Sequence, residues 1–402
     1  MAFILIFSSI LGLMYGYVGW RIMVPAELTP PWNLAVWGLI FLFWLAIPLR
    51  FVFWFNGVDS EWVDRMARFG YAGLALFSIL FVLFITRDIL WLIYLLGDKG
   101  ISIARELLGA EPVTGAAMNP ERRRFIINMV NAGIVGFTGF YTGWGFYTAR
   151  SRFRIKNIDF RIKNLPEEFD GFSILQISDI HVGPTIKRDF VRRIVDRVDG
   201  IKPDLIALTG DLADGSVQNL AEDVAPLKEL EAPHGKYFVT GNHEYYSGVK
   251  PWVEHIGNEL GFRVLNNEHI LINRGEKQIV LAGVTDIESI RMDPENATDP
   301  IKAIEGTPDG LYKILLAHQP KSVFKAAEAG FDLQISGHTH GGQFYPWNYI
   351  VALQQPFLKG VHKYKGTDIY VCTGVGYWGP PIRIGVPPQI SLITLHRENN
   401  SA

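Results

Sequence analysis

Only one cysteine, Cys372, occurs among the 402 residues. That excludes an intrachain disulfide and any thiolate cluster for zinc or iron–sulfur, so a metal here would have to be held by His, Asp, Glu or Asn. An excess of charge of either sign is missing too, with 38 Lys and Arg against 40 Asp and Glu. No global basic field points to nucleic acid, and no acidic excess points to disorder. Internal repeats and low-complexity tracts are absent. The run Gly374-Val375-Gly376-Tyr377-Trp378-Gly379-Pro380-Pro381 is glycine-rich but lacks a phosphate-loop Lys and a following helix pattern. It is therefore no nucleotide signature, and a wall or lid of a site is the better expectation.

What the chain does have is unevenly spread. Apolar residues make up 49% of it, and most Trp, Phe and long apolar runs precede residue 150. Four stretches, at 2–20, 33–49 (running on past Arg50 to 55), 71–96 and 125–148, approach the ~20 residues a helix needs to cross a bilayer. They predict an all-α transmembrane domain of about four helices over 1–150 and a multi-pass protein of the inner cell membrane. No basic residue precedes the first stretch and no small-residue cleavage site follows it, so it reads as retained rather than as a signal peptide. Arg87 and Asp88 interrupt the third. Neighbours in a helix do not face each other, so they read as an interfacial or helix-facing pair rather than an ion pathway.

Lys and Arg in short loops set orientation. The 99–124 loop carries Lys99, Arg105, Arg122, Arg123 and Arg124, against Arg65 and Arg68 in the 57–70 loop, which favours an extracytoplasmic second domain. The cluster Arg150, Arg152, Arg154 and Lys156 pulls the other way, although charges beside a large domain guide less. That tether is short, so the second domain is expected close to the membrane.

From residue 151 to 402 the pattern becomes soluble α/β, with β-rich runs between amphipathic helices such as 187–198 and 251–260. Five apolar runs, at 173–177, 205–209, 237–240, 313–317 and 333–336, each end in ligand-type residues. These are Asp179-Ile180-His181, Gly210-Asp211, Gly241-Asn242-His243-Glu244, His318 and Gly337-His338-Thr339-His340. Loops at the carboxyl ends of α/β strands converge on one crevice. Side chains two apart in extended backbone point the same way, which brings Asp179 to His181 and His338 to His340. Glycines 210, 241 and 337 allow tight turns. Mixed carboxylate, amide and imidazole donors suit manganese, iron or zinc better than magnesium. One His at a strand end is an ordinary core or surface residue, but five such motifs in order are not accidental.

The ordered set D-x-H, G-D, G-N-H-D/E, H and G-H-x-H resembles the calcineurin-like metallophosphoesterases over roughly 172–395. The run Gly337 to Gln343, GHTHGGQ, is similar to that of the bacterial membrane-anchored subgroup. The resemblance implies an α/β/β/α sandwich of two mostly parallel or mixed sheets flanked by helices. It also implies two divalent transition metal ions. One would be held by Asp179, His181 and His340, the other by Asn242, His318 and His338, with Asp211 bridging and His243 acting on the far side of the phosphorus. Glu244 would either orient His243 or cap a helix.

The implied reaction is metal-assisted hydrolysis of a phosphate ester or pyrophosphate bond. A lipid-linked phosphate is suggested by the short tether, while soluble nucleotides and phosphoproteins stay open. No basic stripe is evident after residue 153, so nucleic acid is not the expected partner. The rival is a non-catalytic membrane sensor or transporter with a metal-binding soluble domain. Tyr245, Tyr246, Trp347 and Tyr349 either line the cleft or pack.

Overall fold

The computed structural model describes residues 2–56, 58, 60–109 and 119–398. The chain separates into two compact units, Met1–Trp144 and Gly145–Ala402. The expected division at residue 150 lies a few residues further along.

The first unit is helical: α1 (Ala2–Ala26), α2 (Trp32–Phe55), α3 (Glu61–Leu107) and α4 (Pro120–Ala149), the last running on into the second unit. All four are long and apolar enough to cross a membrane. Tyr15, Val18, Ile47, Phe77 and Phe84 pack between α1, α2 and α3, with Tyr15 stacked on Phe77 at 4.2 Å. Outside that seam the helices present apolar side chains outward, Leu13 and Phe140 being 76% and 72% exposed. That pattern suits lipid rather than water.

Three expectations are corrected here. The third helix is 47 residues long, so Arg65, Arg68, Lys99 and Arg105 lie on α3 itself and not in loops. Parts of both loops, residues 57, 59 and 110–118, fall outside the described residues. Arg87 and Asp88 do pair: Nε and Nη2 of Arg87 donate to Asp88 Oδ1 at 3.0 and 2.7 Å. An arginine side chain is long enough to fold along the helix onto its neighbour, which a rule about Cβ directions does not capture. The same carboxylate meets Tyr17 and Arg21 of α1, and Arg87 reaches Asn131 of α4, which donates in turn to the Arg21 carbonyl.

The second unit is a helix–sheet–sheet–helix sandwich. Its strands are β1 (Arg154–Ile162), β2 (Phe172–Ile177), β3 (Leu205–Thr209), β4 (Lys236–Val239), β5 (Arg263–Val264) and β6 (Glu268–Arg274), then β7 (Lys277–Gly283), β8 (Lys313–Leu316), β9 (Leu333–Ser336), β10 (Gly360–Tyr364), β11 (Thr367–Val371) and β12 (Gln389–Arg397). One sheet has the order β1-β12-β2-β3-β4-β5 and the other β10-β11-β9-β8-β7-β6. Both are mixed: β2 to β5 run parallel, as do β7, β8, β9 and β11, while β12 is antiparallel to β2 and β6 to β7.

Strand periodicity builds the layers. Ile174, Leu205, Ala207 and Val239 face Leu281, Ile314, Leu316 and Ile335 across the sheets. Their strand neighbours Leu175, Ile206, Leu208 and Phe238 point outward onto α5 (Arg188–Val198), α6 (Val217–Val224) and the second of the two helices after β4. Burying alternate apolar side chains on both faces is what makes these strands read as continuous apolar runs. The two helices that follow β4 are α7 (Asn242–Ser247) and α8 (Val249–Asn258), and Trp252 of α8 is fully buried.

Candidate metal centre

The ligand-type residues all follow carboxyl ends of parallel strands. β2, β3 and β4 of one sheet deliver Asp179, His181, Asp211 and Asn242, while β8 and β9 of the other deliver His318, His338 and His340. The two sheets thus contribute to one seam, laced by Gln176 Nε2 donating to the Ser336 carbonyl at 3.0 Å.

The local backbone is not the extended chain that the sequence suggested. Asp179, His181, Asp211, His338 and His340 have φ of 56°, 54°, 53°, 70° and 50°. Left-handed turns, not strand alternation, therefore aim these side chains together. Asp and His tolerate this region better than most residues, but each costs about 1–3 kcal/mol unless the surroundings hold it. They are held: the Asp179 and His181 amides donate to the Gly210 and Asp211 carbonyls, both at 3.1 Å, and the His338 amide donates to Asp179 Oδ1 at 2.9 Å. Gly210 shares the left-handed conformation with φ 82°. Gly337 serves by absence of bulk, since a Cβ there would sit 2.1 Å from Ser178 Oγ.

Three groups of side chains could each hold an ion: Asp179, His181 and His340; His181, Asp211 and His243; and Asp211, His318 and His338. Asp211 and His181 are shared between groups. Ring nitrogens converge as ligands would, with His181 Nε2 3.0 Å from His340 Nε2 and His318 Nε2 3.2 Å from His338 Nδ1. His318 Nε2 also lies 3.0 Å from Asp211 Oδ2. Asn242 brings a buried Oδ1 with no hydrogen-bond partner among the described residues. An orphaned amide oxygen beside converging imidazoles and two buried carboxylates fits divalent cations.

The electrostatics follow from the crowding. Burial opposes ionisation of Asp211, yet His318, His243 and His181 hold its carboxyl well below the usual range. Asp179 is pushed up, first by burial and then by Asp211, against the pull of His318. Burial depresses His340, with His181 and Arg383 adding to the effect. Burial likewise works against His243, but Asp211 and Asp214 raise it to about 9.

Asp214 is a functional residue that the sequence reading passed over. Its Oδ1 lies 3.0 Å from His181 Nδ1 and 2.6 Å from His243 Nδ1, so one carboxylate orients both rings. The available signal was a second Asp three residues after Asp211 in the same loop. Arg383 was missed as well: fully buried, it donates to the Thr373 carbonyl at 2.7 Å and faces His340 Nδ1 at 3.0 Å. Glu244 resolves as a cap. Its carboxylate accepts from the amides of Gly241, Asp211 and Leu212 at 2.7, 3.0 and 2.7 Å, starting α7 and fixing the Asp211 loop. Burial raises it to about 7. Tyr245 is buried as packing, whereas Tyr246 lies 5.4 Å from His243 at the rim. Trp347 and Tyr349 meet Phe344 and Tyr345 in T-shaped contacts instead. The 374–381 run walls the site, with the Gly376 amide donating to the Asp179 carbonyl at 2.9 Å.

A two-sheet α/β sandwich with clustered His and Asp at its seam defines a class of protein shaped to bind divalent metal. The family model for calcineurin-like phosphoesterases matches residues 172–342. A Danio rerio transmembrane protein with metallophosphoesterase domain is 30% identical over 407 residues, covering 98% of this chain and 89% of that protein. An uncharacterized metallophosphoesterase of Helicobacter pylori is 35% identical over 286 residues, 70% of this chain and 74% of that one. Another from Bacillus subtilis is 31% identical over 290 residues, covering 69% and 98%. The chain belongs to the calcineurin-like metallophosphoesterases, a metal-binding family of phosphohydrolases.

Proposed function

We propose that the second unit hydrolyses a phosphate ester or pyrophosphate bond with water activated between two divalent transition ions, manganese, iron or zinc. Asp179, His181 and His340 would hold one ion and Asn242, His318 and His338 the other, with Asp211 between them. The observation that carries this is that Asp211 groups with His318 and His338 on one side and, through His181, adjoins the group of Asp179 and His340 on the other. Two ions there would lower the pKa of a water and neutralise phosphoryl oxygens. The chain's own contribution is orientation and a proton. Asp214 holds Nδ1 of His243, leaving Nε2 to face the departing oxygen. Protonated on Nε2, His243 would give that proton to the oxygen as the P–O bond breaks.

The substrate we infer is a phosphate at the membrane surface, a lipid-linked one included; the GHTHGGQ run of Gly337 to Gln343 likens the chain to the membrane-anchored bacterial subgroup. Residues 1–150 would form the membrane domain and 151–402 the hydrolase. Only four residues separate the end of α4 at Ala149 from the start of β1 at Arg154, which limits their reach to about 17 Å across five peptide steps. An extracytoplasmic position rests on Arg122, Arg123 and Arg124, which open α4. The rival reading, a metal-binding sensor without turnover, leaves the His243–Asp214 pair without a purpose, because binding needs only the ligands.

The full chain in detergent should hydrolyse an aryl phosphate ester, lose activity to a chelator and regain it with manganese. Full activity of metal-stripped protein would overturn the reading. For orientation, protease added to intact spheroplasts should remove the hydrolase unit while a cytoplasmic control survives; protection of the unit reverses the topology.

A further inference from the structure

Trp378 is 55% exposed, yet its backbone is fixed with unusual care. Its amide donates to Gln343 Oε1 at 3.0 Å, and Gln343 Nε2 donates back to the Trp378 and Pro380 carbonyls at 3.2 and 2.8 Å. Gln343 itself is buried and held at φ 55°, ψ −51°, a conformation a non-glycine residue adopts only when its surroundings impose it. On the other side of the tryptophan, Tyr377 is buried with its hydroxyl donating to the Thr185 carbonyl at 3.2 Å. Gly376 lies so close to the Asp179 loop that a Cβ would sit 2.0 Å from the Ile180 carbonyl. A strained, doubly clamped loop that ends in a large exposed apolar ring is preorganised for contact rather than for packing.

The ring's position says what it would contact. Trp378 lies 5.9 Å from His243, and Tyr246, 37% exposed, approaches the same imidazole at 5.4 Å. Both rings meet His243 in T-shaped contacts, at 72° and 67°, and both remain partly exposed beside it. In the hydrolysis proposed above, on which this step rests, the water oxygen bonds to phosphorus and the P–O bond to the leaving group breaks. The departing oxygen takes the His243 proton, so the atoms attached to that oxygen lie near the two aromatic rings.

We propose that Trp378 and Tyr246 form a leaving-group subsite beside His243 that selects esters with an apolar leaving group. Phenyl, octyl and methyl phosphate, each as mono- and diester, test it with the manganese-loaded full chain. Comparing each variant with wild type on the same ester cancels the intrinsic reactivity of the ester. Trp378→Ala should lower kcat/KM about 10- to 100-fold on phenyl and octyl esters, mainly through KM, with little change on methyl. Trp378→Phe should restore most of the phenyl activity, and because the ring is exposed both variants should fold and bind manganese as wild type does. Loss confined to phenyl esters assigns the subsite to planar aromatic groups, and loss confined to octyl esters to lipid-like chains; both support it. An equal loss on all three esters, or none, overturns it. A wild-type chain that binds manganese but cleaves no ester overturns the hydrolase reading instead.

Discussion

The two units place apolar and charged groups in opposite ways. In Met1–Trp144 large apolar side chains face outward, and the polar groups Tyr17, Arg21, Arg87, Asp88 and Asn131 gather between helices. In Gly145–Ala402 the apolar side chains fill layers between sheets and helices, and the buried carboxylates collect at the seam of the sheets. Both of these clusters gather partners around their charges, because an unpaired buried charge is costly in either setting. The difference is in what those charges leave open. The helical cluster converges on Asp88 and leaves a donor, Arg21 Nε, without a partner among the described residues, whereas the sheet cluster keeps convergent lone pairs and the unpartnered acceptor Asn242 Oδ1.

The sharpest way to break this contrast is at the seam. Asp211→Ala should lose bound manganese and reduce turnover to background, because it removes a group shared by both sets of ligands. His243→Ala should retain the metal and lose about 10²- to 10⁴-fold in kcat. Elemental analysis separates the two, and equal depletion of metal in both variants would remove the distinct role given to His243.

A smaller effect is expected at Asp286, which follows β7 and accepts from Gln319 Nε2 at 3.0 Å. Burial, the largest influence, raises its carboxyl from 3.8 to about 6. Between those values the unfolded chain has released the proton and the folded chain still holds it, so stability falls as pH rises through that window. Above about pH 6 the loss is complete, at about 3 kcal/mol. Asp286→Asn lacks this dependence. Thermal unfolding of the metal-free chain at pH 4 and pH 7 should show the variant gaining on wild type at the higher pH. A constant difference would show that the carboxyl is not held protonated.

The smallest effect belongs to the helices. Asp88→Asn should destabilise the first unit by about 1–2 kcal/mol in detergent, the range for polar contacts between membrane helices. Activity per folded molecule should stay the same. A drop in kcat at full metal content would show that the two clusters are coupled.

The sequence disclosed which residues would meet, but not how. Five apolar runs ending in Asp, Asn or His were readable because strands buried on both faces leave a continuous apolar signature. The left-handed backbone at Asp179, His181, Asp211, His338 and His340 was not, because none of these is a glycine and φ leaves no trace in residue type. Asp214 sat in plain view, but its contacts depend on two rings, each from another loop. Arg383 lies between Ile382 and Ile384, and only the folded loop shows that its partners are carbonyls and an imidazole. In the first unit apolar length gave the helices, while their true ends lay beyond the apolar runs, since a helix does not stop where hydrophobicity does.

The length of α3 carries a consequence of its own. Its apolar run, residues 71–96, is roughly 26 residues, or about 39 Å at 1.5 Å per residue. A hydrocarbon layer is about 30 Å thick, so about 9 Å of mismatch must be absorbed. Side chains such as Leu90, Leu92 and Ile93 near one end are more than half exposed, so no described protein neighbour shields that excess. Were α3 to cross a bilayer along this run, it would lean, kink or thicken the bilayer locally. A thinner membrane would demand a steeper lean, which makes the angle of α3 a quantity that lipid composition can set.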